Sequence, residues 1–274
     1  MDSMSEVAIG LRRTPIDSLR AAISKLNLTI SSPTSGANII IKPSIYDPNL
    51  PGNTDVRMVQ AVIQTFSSLG TMSIVESDNP LRTAKVAFSK MGYDELVNEN
   101  VRLVNLSDDK MVPVTFAGQF FKDRKIPHIL HHNSYLVNLA TLKAEPEICL
   151  VGAGIKNLFG LLPEPDKSIY HSDINEVLMD LLMIFRPQLT VIDLTNIVIG
   201  KREEKRTKYV GGVVVGTDPV AVDSFCSNLL GIDPLEVDHL RMAHRLGLGE
   251  ILSDRINVRG TQHQISELYR LFGK

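Results

Sequence analysis

Residues 152–160, Gly-Ala-Gly-Ile-Lys-Asn-Leu-Phe-Gly, place two glycines, a cation and an amide just before a short apolar stretch that ends at a third glycine. Gly152 and Gly154 let the backbone approach a ligand closely and adopt positive φ, so neighbouring N–H groups could converge on an anion. Lys156 adds a full positive charge and Asn157 an amide. The spacing matches neither a Walker loop nor a complete G-x-G-x-x-G. We predict an anion-binding segment; the alternative is a tight strand-to-helix turn whose Lys156 faces solvent.

Charged side chains recur where predicted strands end. Lys42 follows the apolar run Asn-Ile-Ile-Ile, and Asp78 and Asp193 stand at the ends of two later apolar runs. Because crevices beyond the carboxyl ends of parallel strands commonly hold ligands, these side chains are candidates for ligand binding or proton transfer. His171 is a further candidate for acid-base chemistry. The alternatives are a solvated strand end for Lys42 and a surface or structural position for His171.

Three carboxylates, Asp193, Asp218 and Asp223, have the oxygen ligands that Mg²⁺ and Ca²⁺ prefer. Asp218 precedes a proline and is equally suited to cap a helix. Asp223 would lie about 140° further around that helix, so these two carboxylates need not face one ligand. The seven histidines include no H-E-x-x-H motif, and no serine or cysteine stands in a G-x-S-x-G elbow. A divalent metal is therefore possible without a defined set of ligands, and zinc or acyl-transfer chemistry is not indicated.

The composition is that of a folded protein with a sizeable core. The 274 residues are 43% apolar and carry a formal charge of −2 with a pI near 6.4, which argues against nucleic acid as a partner. The densest charge run, residues 201–206, mixes signs and is predicted to be a solvated loop or hairpin tip. The chain has two cysteines, no signal-peptide pattern and no apolar run near the roughly 20 residues that cross a bilayer. We expect a cytoplasmic protein with no membrane partner.

Strand-like and helix-like segments alternate along the chain. Strands are predicted at residues 6–11, 38–41, 73–76, 101–106, 135–139, 147–151, 189–193 and 256–258. Helices are predicted at residues 15–26, 54–70, 81–91, 174–185, 218–230, 237–246 and 265–272. This order predicts an α/β fold with a mostly parallel, Rossmann-like sheet flanked by helices. We expect a single large domain over residues 1–274 or two closely joined lobes, with a turn-rich stretch at 31–36 and hairpin-like pieces within 108–133.

Four motifs occur in a distinctive order: Ile-Ile-Lys42-Pro, Thr-Asp55 before a helix, Gly-Ile-Lys156-Asn-Leu-Phe-Gly, and Gly-Thr-Asp218-Pro-Val-Ala-Val-Asp223. In order and spacing, over about residues 7–250, the chain resembles the domain of unknown function 362 family. The resemblance implies that these motifs contribute ligand-binding residues. Many members carry an appended ferredoxin-like module with cysteine-ligated clusters. This chain has no such module, so no iron-sulfur cluster is expected in it.

The resemblance also implicates residues outside these motifs. Lys143 matches the lysine of a Lys-Thr-His stretch that members often have, although alanine and glutamate follow it here. Lys167 and His171 match a lysine with a later Tyr-His pair. Asp193 matches an aspartate that members often follow with glycine, whereas leucine follows it in this chain. The resemblance thereby implies that Lys143, His171 and Asp193 belong to the site.

Two classes of function are consistent with these residues. The first is an enzyme or enzyme-like domain that binds a small phosphate- or carboxylate-bearing metabolite at residues 152–160, with Lys156, His171 and Asp193 as candidate catalytic residues. The predicted ligand-binding residues are Lys42, Asp55, Asp78, Lys143, Gly152, Gly154, Asn157, Asp218 and Asp223. The second class is a noncatalytic binding or assembly module for a redox, iron-sulfur or cofactor-synthesis partner. The sequence specifies neither the reaction nor the oligomeric state.

Overall fold

The structure is a computed structural model that describes residues 4–26, 38–131 and 135–274. In these ranges the strands are, in chain order, β1 (Ser5–Leu11), β2 (Asn38–Pro43), β3 (Thr71–Glu76), β4 (Val101–Asn105), β5 (Met111–Thr115), β6 (Asp123–Pro127), β7 (Tyr135–Thr141), β8 (Lys143–Glu145), β9 (Leu150–Gly152), β10 (Leu189–Asp193), β11 (Asn196–Val198), β12 (Thr207–Tyr209), β13 (Gly212–Gly216) and β14 (Ile256–Arg259). The α-helices are α1 (Pro15–Ile23), α2 (Val56–Phe66), α3 (Ala84–Lys90), α4 (Gly154–Asn157), α5 (Ile174–Phe185), α6 (Pro219–Leu230), α7 (Asp238–Arg245) and α8 (Gln262–Leu271). The predicted turn at residues 31–36 lies outside the described residues.

A central sheet of eight strands runs in the order β14-β1-β13-β10-β7-β2-β3-β4. Neighbouring strands are parallel except at β13, which is antiparallel to both β1 and β10. The remaining strands form three two-stranded pairs, β5–β6, β8–β9 and β11–β12. The predicted α/β fold with a mostly parallel sheet is confirmed, and β5–β6 is the hairpin expected within residues 108–133.

The strands are apolar on both faces because helices cover both faces of the sheet. In β2, Ile39 and Ile41 face one core with α1, α2 and α3, whereas Ile40 faces the other core with α4 to α8. All three isoleucines are fully buried, and burying such a side chain contributes about 1.5–3 kcal/mol. The period-two alternation of a strand therefore fixes the register of β2 between two helical layers. In the part of the chain that the structure describes, no helix has the length and apolarity needed to span a membrane.

The direction of each strand decides which charged residues can meet. Strands β2, β3, β7 and β10 all run in the same direction. Lys42, Glu76 and Asp193 stand at the carboxyl ends of β2, β3 and β10, so they lie at the same edge of the sheet, here called the carboxyl edge. β13 runs the other way, and its last residue, Gly216, pairs with Thr190 near the start of β10. Asp218, which follows β13, therefore lies at the opposite edge. The expectation that Asp218 joins the other strand-end charges is wrong.

Both predicted aspartate caps occupy helix N-termini. Asp55 accepts a hydrogen bond from Arg57 N at 2.8 Å at the start of α2. Asp218 accepts from Val220 N and Ala221 N at 2.9 and 3.0 Å at the start of α6. Such caps satisfy amide donors that have no partner inside the helix. Helix capping therefore explains why aspartate stands at positions 55 and 218.

Candidate functional site

A cavity of about 610 Å³ opens at the carboxyl edge of the sheet. We call it the strand-end cavity. It is lined by the ends of β2 and β3, by β8, by the last residue of β9, by α4 and the turn after it, by residues 165–168 with His171, and by residues 200–204 between β11 and β12. Chain segments far apart in sequence therefore converge on one space. Six of the predicted site residues line it: the ligand-binding Lys42, Lys143, Gly152 and Asn157, and the catalytic Lys156 and His171.

Lys42 is already held in an ion pair at the base of this cavity. Its side chain is 1% exposed, and Nζ lies 2.9 Å from Glu76 Oε2 and donates to the Pro43 carbonyl at 2.6 Å. Burial lowers the pKa of Lys42, and the Glu76 carboxylate acts in the opposite direction. Gly160 packs against the ammonium, since a Cβ there would stand 2.8 Å from Lys42 Nζ. Lys42 thus contributes a neutralised pair rather than an available charge.

Among the described residues, the ammonium of Lys143 has no carboxylate within ion-pair distance. It lies on β8, is 6% exposed, and donates to Thr141 Oγ1 at 2.9 Å and Ser44 Oγ at 3.4 Å. Burial, and then repulsion from Arg202, lowers the pKa of Lys143 from 10.5 to about 7. Close to neutral pH, this side chain can therefore either carry a charge or act as a neutral amine.

Lys156 projects from α4 into the cavity, although the sequence left open that it faces solvent. Its Nζ lies 4.0 Å from the centre of the Phe159 ring, a cation–π contact. Burial lowers the pKa of Lys156, although Cys149 and Glu145 act to raise it. His171 stacks on the same Phe159 ring, with centroids 5.8 Å apart. Partial burial, and then Lys156, lowers the pKa of His171, so the two predicted catalytic residues interact electrostatically across one aromatic ring.

Lys167 is a third lysine in the cavity wall. Its Nζ donates to the Asp78 carbonyl oxygen at 2.8 Å, and burial lowers its pKa from 10.5 to about 8. Among the described residues, no carboxylate lies within 4.0 Å of the ammonium of Lys143, Lys156 or Lys167. The cavity therefore contains three partly or fully buried lysines that have no carboxylate at ion-pair distance in the described ranges.

Arg202 belongs to the charge run that was predicted to be a solvated loop or hairpin tip. Residues 201–206 do connect β11 to β12, but Arg202 folds back to line the cavity. Its Nη2 lies 3.1 Å from Glu145 Oε1, and its guanidinium stands 5.2 Å from the centre of the Tyr46 ring. The buried Nη1 has no hydrogen-bond partner among the described residues. This buried nitrogen lies beside Gly52, where a Cβ would stand 3.5 Å from it, so Arg202 contributes positive charge to the cavity wall rather than a free donor.

The inner walls carry more positive than negative charge. Six cations line them: Lys42, Arg82, Lys143, Lys156, Lys167 and Arg202. Two acids, Glu76 and Glu145, face these cations. Burial raises the pKa of Glu145, but Lys143, Lys156 and Arg202 outweigh burial and hold that pKa below its ordinary value. Exposed acids stand at the rim: Glu147, Asp166, Glu203 and Glu204. Because exposed charges are screened by water and salt, they offset the inner positive charge weakly.

The glycine segment has a different use from the predicted one. Gly154 N and Ile155 N each donate to the Asp223 carboxylate at 2.8 Å, so their N–H groups already have an internal acceptor. Neither Gly152 nor Gly154 adopts positive φ. Glycine is needed at 154 for close packing, since a Cβ there would lie 2.6 Å from Thr190 Cγ2. These amides bind a carboxylate, as the sequence suggested, but it is the chain's own Asp223 rather than a ligand.

Asp223 is fully buried and does not line the cavity. Burial raises its pKa to about 7, while the two amide donors at the start of α4 act to lower it. A buried carboxylate needs such donors, because an unpaired polar group inside a protein is costly. Asp223 is therefore a structural residue that fixes α4, and through α4 the position of Lys156.

Asp193 points away from the strand-end cavity. Its carboxylate accepts from Thr195 N at 2.8 Å, from Thr195 Oγ1 at 2.5 Å and from Asp55 N at 3.3 Å, and neither Asp193 nor Asp55 lines the cavity. Burial raises the pKa of Asp193 to about 6. Lys42 and Asp193 lie at the same edge but on opposite faces of the sheet. The predicted grouping of Asp193 with Lys42 and Lys156 is not found.

Two further predicted residues, Asp78 and Asn157, hold together elements that surround the cavity. The Asp78 carboxylate accepts from Ala84 N at 2.8 Å and holds the start of α3. Asn157 lines the cavity and donates to the Lys42 carbonyl at 3.1 Å and to Asn138 Oδ1 at 2.8 Å. Asp78 thus presents its carbonyl to Lys167, whereas Asn157 ties α4 to β2 and β7.

The three carboxylates considered for a divalent metal do not come together. Asp193, Asp218 and Asp223 each have separate hydrogen-bond donors, and Asp218 lies at the other edge of the sheet. In residues 4–26, 38–131 and 135–274, no three histidine, cysteine, aspartate or glutamate side chains are grouped so that they could hold a metal ion. The geometry of the described residues gives these aspartates no shared ligand.

Several cavity residues were absent from the predicted site. Glu76 ends a predicted strand, and the strand-end argument that selected Lys42 could have selected it too. Glu145 lies two residues after Lys143, a spacing that places both on one face of a strand. Nothing in the sequence indicated that Arg202 lines a cavity, because its charge run is typical of solvent-exposed loops.

Two known proteins are similar to this chain, one in sequence and one in fold. The thylakoid-associated protein sll1697 of Synechocystis sp. is 22% identical over 243 residues, which cover 84% of this chain and 74% of that protein. The structure of the lactate racemase apoprotein from Thermoanaerobacterium thermosaccharolyticum superposes with a TM-score of 0.53 and 12% identity, and covers 85% of this chain. The chain spans 58% of the length of that racemase structure, and at this identity the likeness shows the fold alone.

The family whose profile matches is described as "Domain of unknown function (DUF362)", and the match covers residues 39–228, more than half of the chain. Those residues include β2, α4 and almost all of α6, and thus most of the cavity wall and the Asp223 carboxylate behind it. The chain belongs to the DUF362 family.

Proposed function

We propose that this protein binds a small metabolite bearing a phosphate or carboxylate in the strand-end cavity and acts on it as an enzyme-like domain. The observation that carries the proposal is the set of unpaired cavity lysines, Lys143, Lys156 and Lys167. Burying a charge without a partner is unfavourable, so such lysines lose protons more easily. An anion in the cavity would restore the missing partner and be bound in return.

The size and surface of the cavity support a small molecule as the ligand. Its volume of about 610 Å³ lies within the range of about 300–1,000 Å³ found for small-molecule sites. Phe159 and Tyr46 supply aromatic walls, and the lysines converge from different segments. A few polar groups set into an apolar surface are what orient a small ligand.

The same groups favour chemistry on the ligand. Lys143, with a pKa of about 7, is matched to proton transfer near neutral pH. Lys156 and the positive charge of Arg202 can stabilise negative charge that develops during a reaction. His171, at the mouth of the cavity, is placed to exchange a proton with solvent. Asp193 has no part in this scheme, because its carboxylate is hydrogen-bonded on the other face of the sheet.

We also propose that the protein acts in the cytoplasm. Its two buried cysteines, neither of which is in a disulfide, and its near-neutral charge support this location. Cell fractionation with an antibody against the chain tests it: recovery in the soluble cytoplasmic fraction is expected, and recovery with membranes would contradict it.

Thermal unfolding with added anions tests the proposed ligand class. The probes are inorganic phosphate, pyrophosphate and citrate, each compared with sodium chloride at equal ionic strength. A probe at a hundred times its dissociation constant should stabilise the protein by about 2.7 kcal/mol. Lys156→Met should abolish that stabilisation, and the matched control Lys208→Met, in the exposed strand β12, should keep it.

The noncatalytic alternative gives the opposite result in that experiment. An assembly module for a redox or iron-sulfur partner would show no stabilisation by any of the three anions. It would also bind its partner equally well after Lys156→Met. Stabilisation that is the same in Lys156→Met and Lys208→Met would contradict the proposal as well, because the anion would then bind outside the strand-end cavity.

A further inference from the structure

The surroundings of Lys143 suit a neutral amine as well as an ammonium. Thr141 Oγ1 accepts from Lys143 Nζ at 2.9 Å while its own hydroxyl donates to the Gly52 carbonyl at 2.8 Å. Ser44 Oγ lies 3.4 Å from the same nitrogen and lines the cavity. Hydroxyl acceptors can bind a neutral amine, whereas a carboxylate would hold the proton on the nitrogen. Among the described residues, no carboxylate is within ion-pair distance of Lys143.

Cations on the same cavity wall can hold an acid group beside Lys143. Arg202 uses Nη2 to bind Glu145 and leaves the buried Nη1 without a partner among the described residues. Lys156 lies over the Phe159 ring with no carboxylate partner in that same part of the chain. Arg202 and Lys156 both lower the pKa of Lys143, after burial, which places all three cations within electrostatic reach of one another. A ligand carboxylate there would form a charge-assisted contact with Lys156 and would be attracted by the nearby charge of Arg202.

Resting on the proposed function, we propose that Lys143 is the nucleophile of the strand-end cavity and forms an imine with a 2-oxo acid whose carboxylate lies at Arg202 and Lys156. A desolvated lysine next to other cations is a recognised form of activated amine. A 2-oxo acid carries its carboxylate next to its carbonyl carbon. The carboxylate can therefore meet the cavity cations while the carbonyl carbon meets the amine of Lys143. Lys167 differs, because its Nζ donates to the backbone carbonyl of Asp78.

The step balances with the residues present. The lone pair of Lys143 Nζ forms a bond to the carbonyl carbon, the C–O π bond breaks, and one proton moves from nitrogen to oxygen to give a carbinolamine. Loss of that oxygen as water, with the second nitrogen proton, leaves the C=N bond. Ser44 Oγ is close enough to Nζ to relay a proton between nitrogen and oxygen.

Reductive trapping tests the proposal. The full chain is incubated with pyruvate or glyoxylate and sodium cyanoborohydride, which delivers hydride to an imine and makes the bond permanent. Intact mass spectrometry should find one adduct per chain, and peptide mapping should place it at Lys143. Inorganic phosphate in excess should slow the labelling. Lys143→Arg should reduce the adduct at least tenfold, and Lys208→Arg, the same change in the exposed strand β12, should leave it unchanged.

The residue that is labelled and the melting temperature together show whether the imine, anion binding or both are absent. Labelling of exposed lysines such as Lys205 and Lys208, or labelling that survives Lys143→Arg, overturns the proposal. Thermal unfolding of the same samples separates this failure from failure of the proposed function. If pyruvate, glyoxylate or phosphate raises the melting temperature but no adduct forms, the imine is refuted and anion binding stands. If neither occurs, both are contradicted. Cooperative thermal unfolding of unliganded Lys143→Arg and Lys208→Arg would confirm that both variants are folded.

Discussion

Replacing Lys143 by methionine should make the folded protein more stable at pH 6, and this gain should disappear at about pH 9 and become a loss at higher pH. Burial lowers the pKa of Lys143 from 10.5 to about 7. Between these values the unfolded chain binds more protons than the folded protein, so stability rises with pH across this window. Below pH 7 the charged side chain costs about 5 kcal/mol, at about 1.36 kcal/mol per pH unit of pKa change. This cost is fully present at pH 6.

The net gain is smaller than this cost, because methionine also removes two hydrogen bonds. Lys143 donates to Thr141 and to Ser44, and each bond contributes about 1 kcal/mol. We therefore expect Lys143→Met to stabilise the protein by about 3 kcal/mol at pH 6. In a chain of this size, 1 kcal/mol shifts the melting temperature by about 2–4 °C.

Urea unfolding followed by circular dichroism at pH 6, 8 and 10 measures the effect. The buffers must be free of phosphate and carboxylates, because a bound anion would offset the same cost. Lys208→Met is the control and should change stability by less than about 0.5 kcal/mol at every pH, as exposed substitutions usually do. A destabilised Lys143→Met at pH 6, or a change that is independent of pH, would refute the reasoning.

Three other substitutions test the framework around the cavity. Lys42→Ala removes the cation 2.9 Å from Glu76 and leaves this buried carboxylate with Arg82 alone, 3.8 Å away, so it should destabilise the protein by about 3 kcal/mol in urea unfolding. The double change Lys42→Met with Glu76→Leu should cost less, because Arg82 keeps its hydrogen bonds to the Ser77 and Ile45 carbonyls. Asp223→Ala frees two buried amide donors of α4 and should cost about 2–4 kcal/mol by the same assay, with Asp223→Asn intermediate. Among the described residues the His239 ring nitrogens have no partners, and burial lowers its pKa from 6.5 to about 4. Native stability should therefore fall as the pH drops from 6.5 towards 4, and His239→Leu should lack that part of the decline in urea unfolding at pH 4.5 and pH 7.

Much of the scaffold can be read from local sequence. The apolar run before Lys42 predicts a buried strand, and the helix caps Asp55 and Asp218 occur where their types and spacing place them. Repeated strand-helix alternation then predicts the mostly parallel sheet and the shared carboxyl edge. The convergence of Lys42, Lys143 and Lys156 at one cavity follows from that edge.

The parts that sequence reasoning missed depend on long-range pairing. Nothing local to β13 shows that it runs antiparallel to β10, yet this direction sends Asp218 to the far edge. Nothing local to the glycine segment shows that Asp223, about 70 residues later, receives its amide donors. The alternation of side chains along each strand explains why Asp193 and Lys42 share an edge but face opposite cores. Arg202 enters the cavity through a loop whose composition indicates solvent exposure.

The strand-end cavity concentrates the charges of lysines that have no carboxylate partner among the described residues. Nuclear magnetic resonance of protein labelled with ¹³C at the lysine Cε carbons reads the titration of each ammonium directly, with assignment by single Lys→Arg variants. The structure predicts that Lys143 titrates at a pKa of about 7 and Lys167 at about 8 in anion-free buffer. Both pKa values should rise when an anion that raises the melting temperature is added. Titration of Lys143 at its ordinary pKa of 10.5, with or without the anion, would contradict the account.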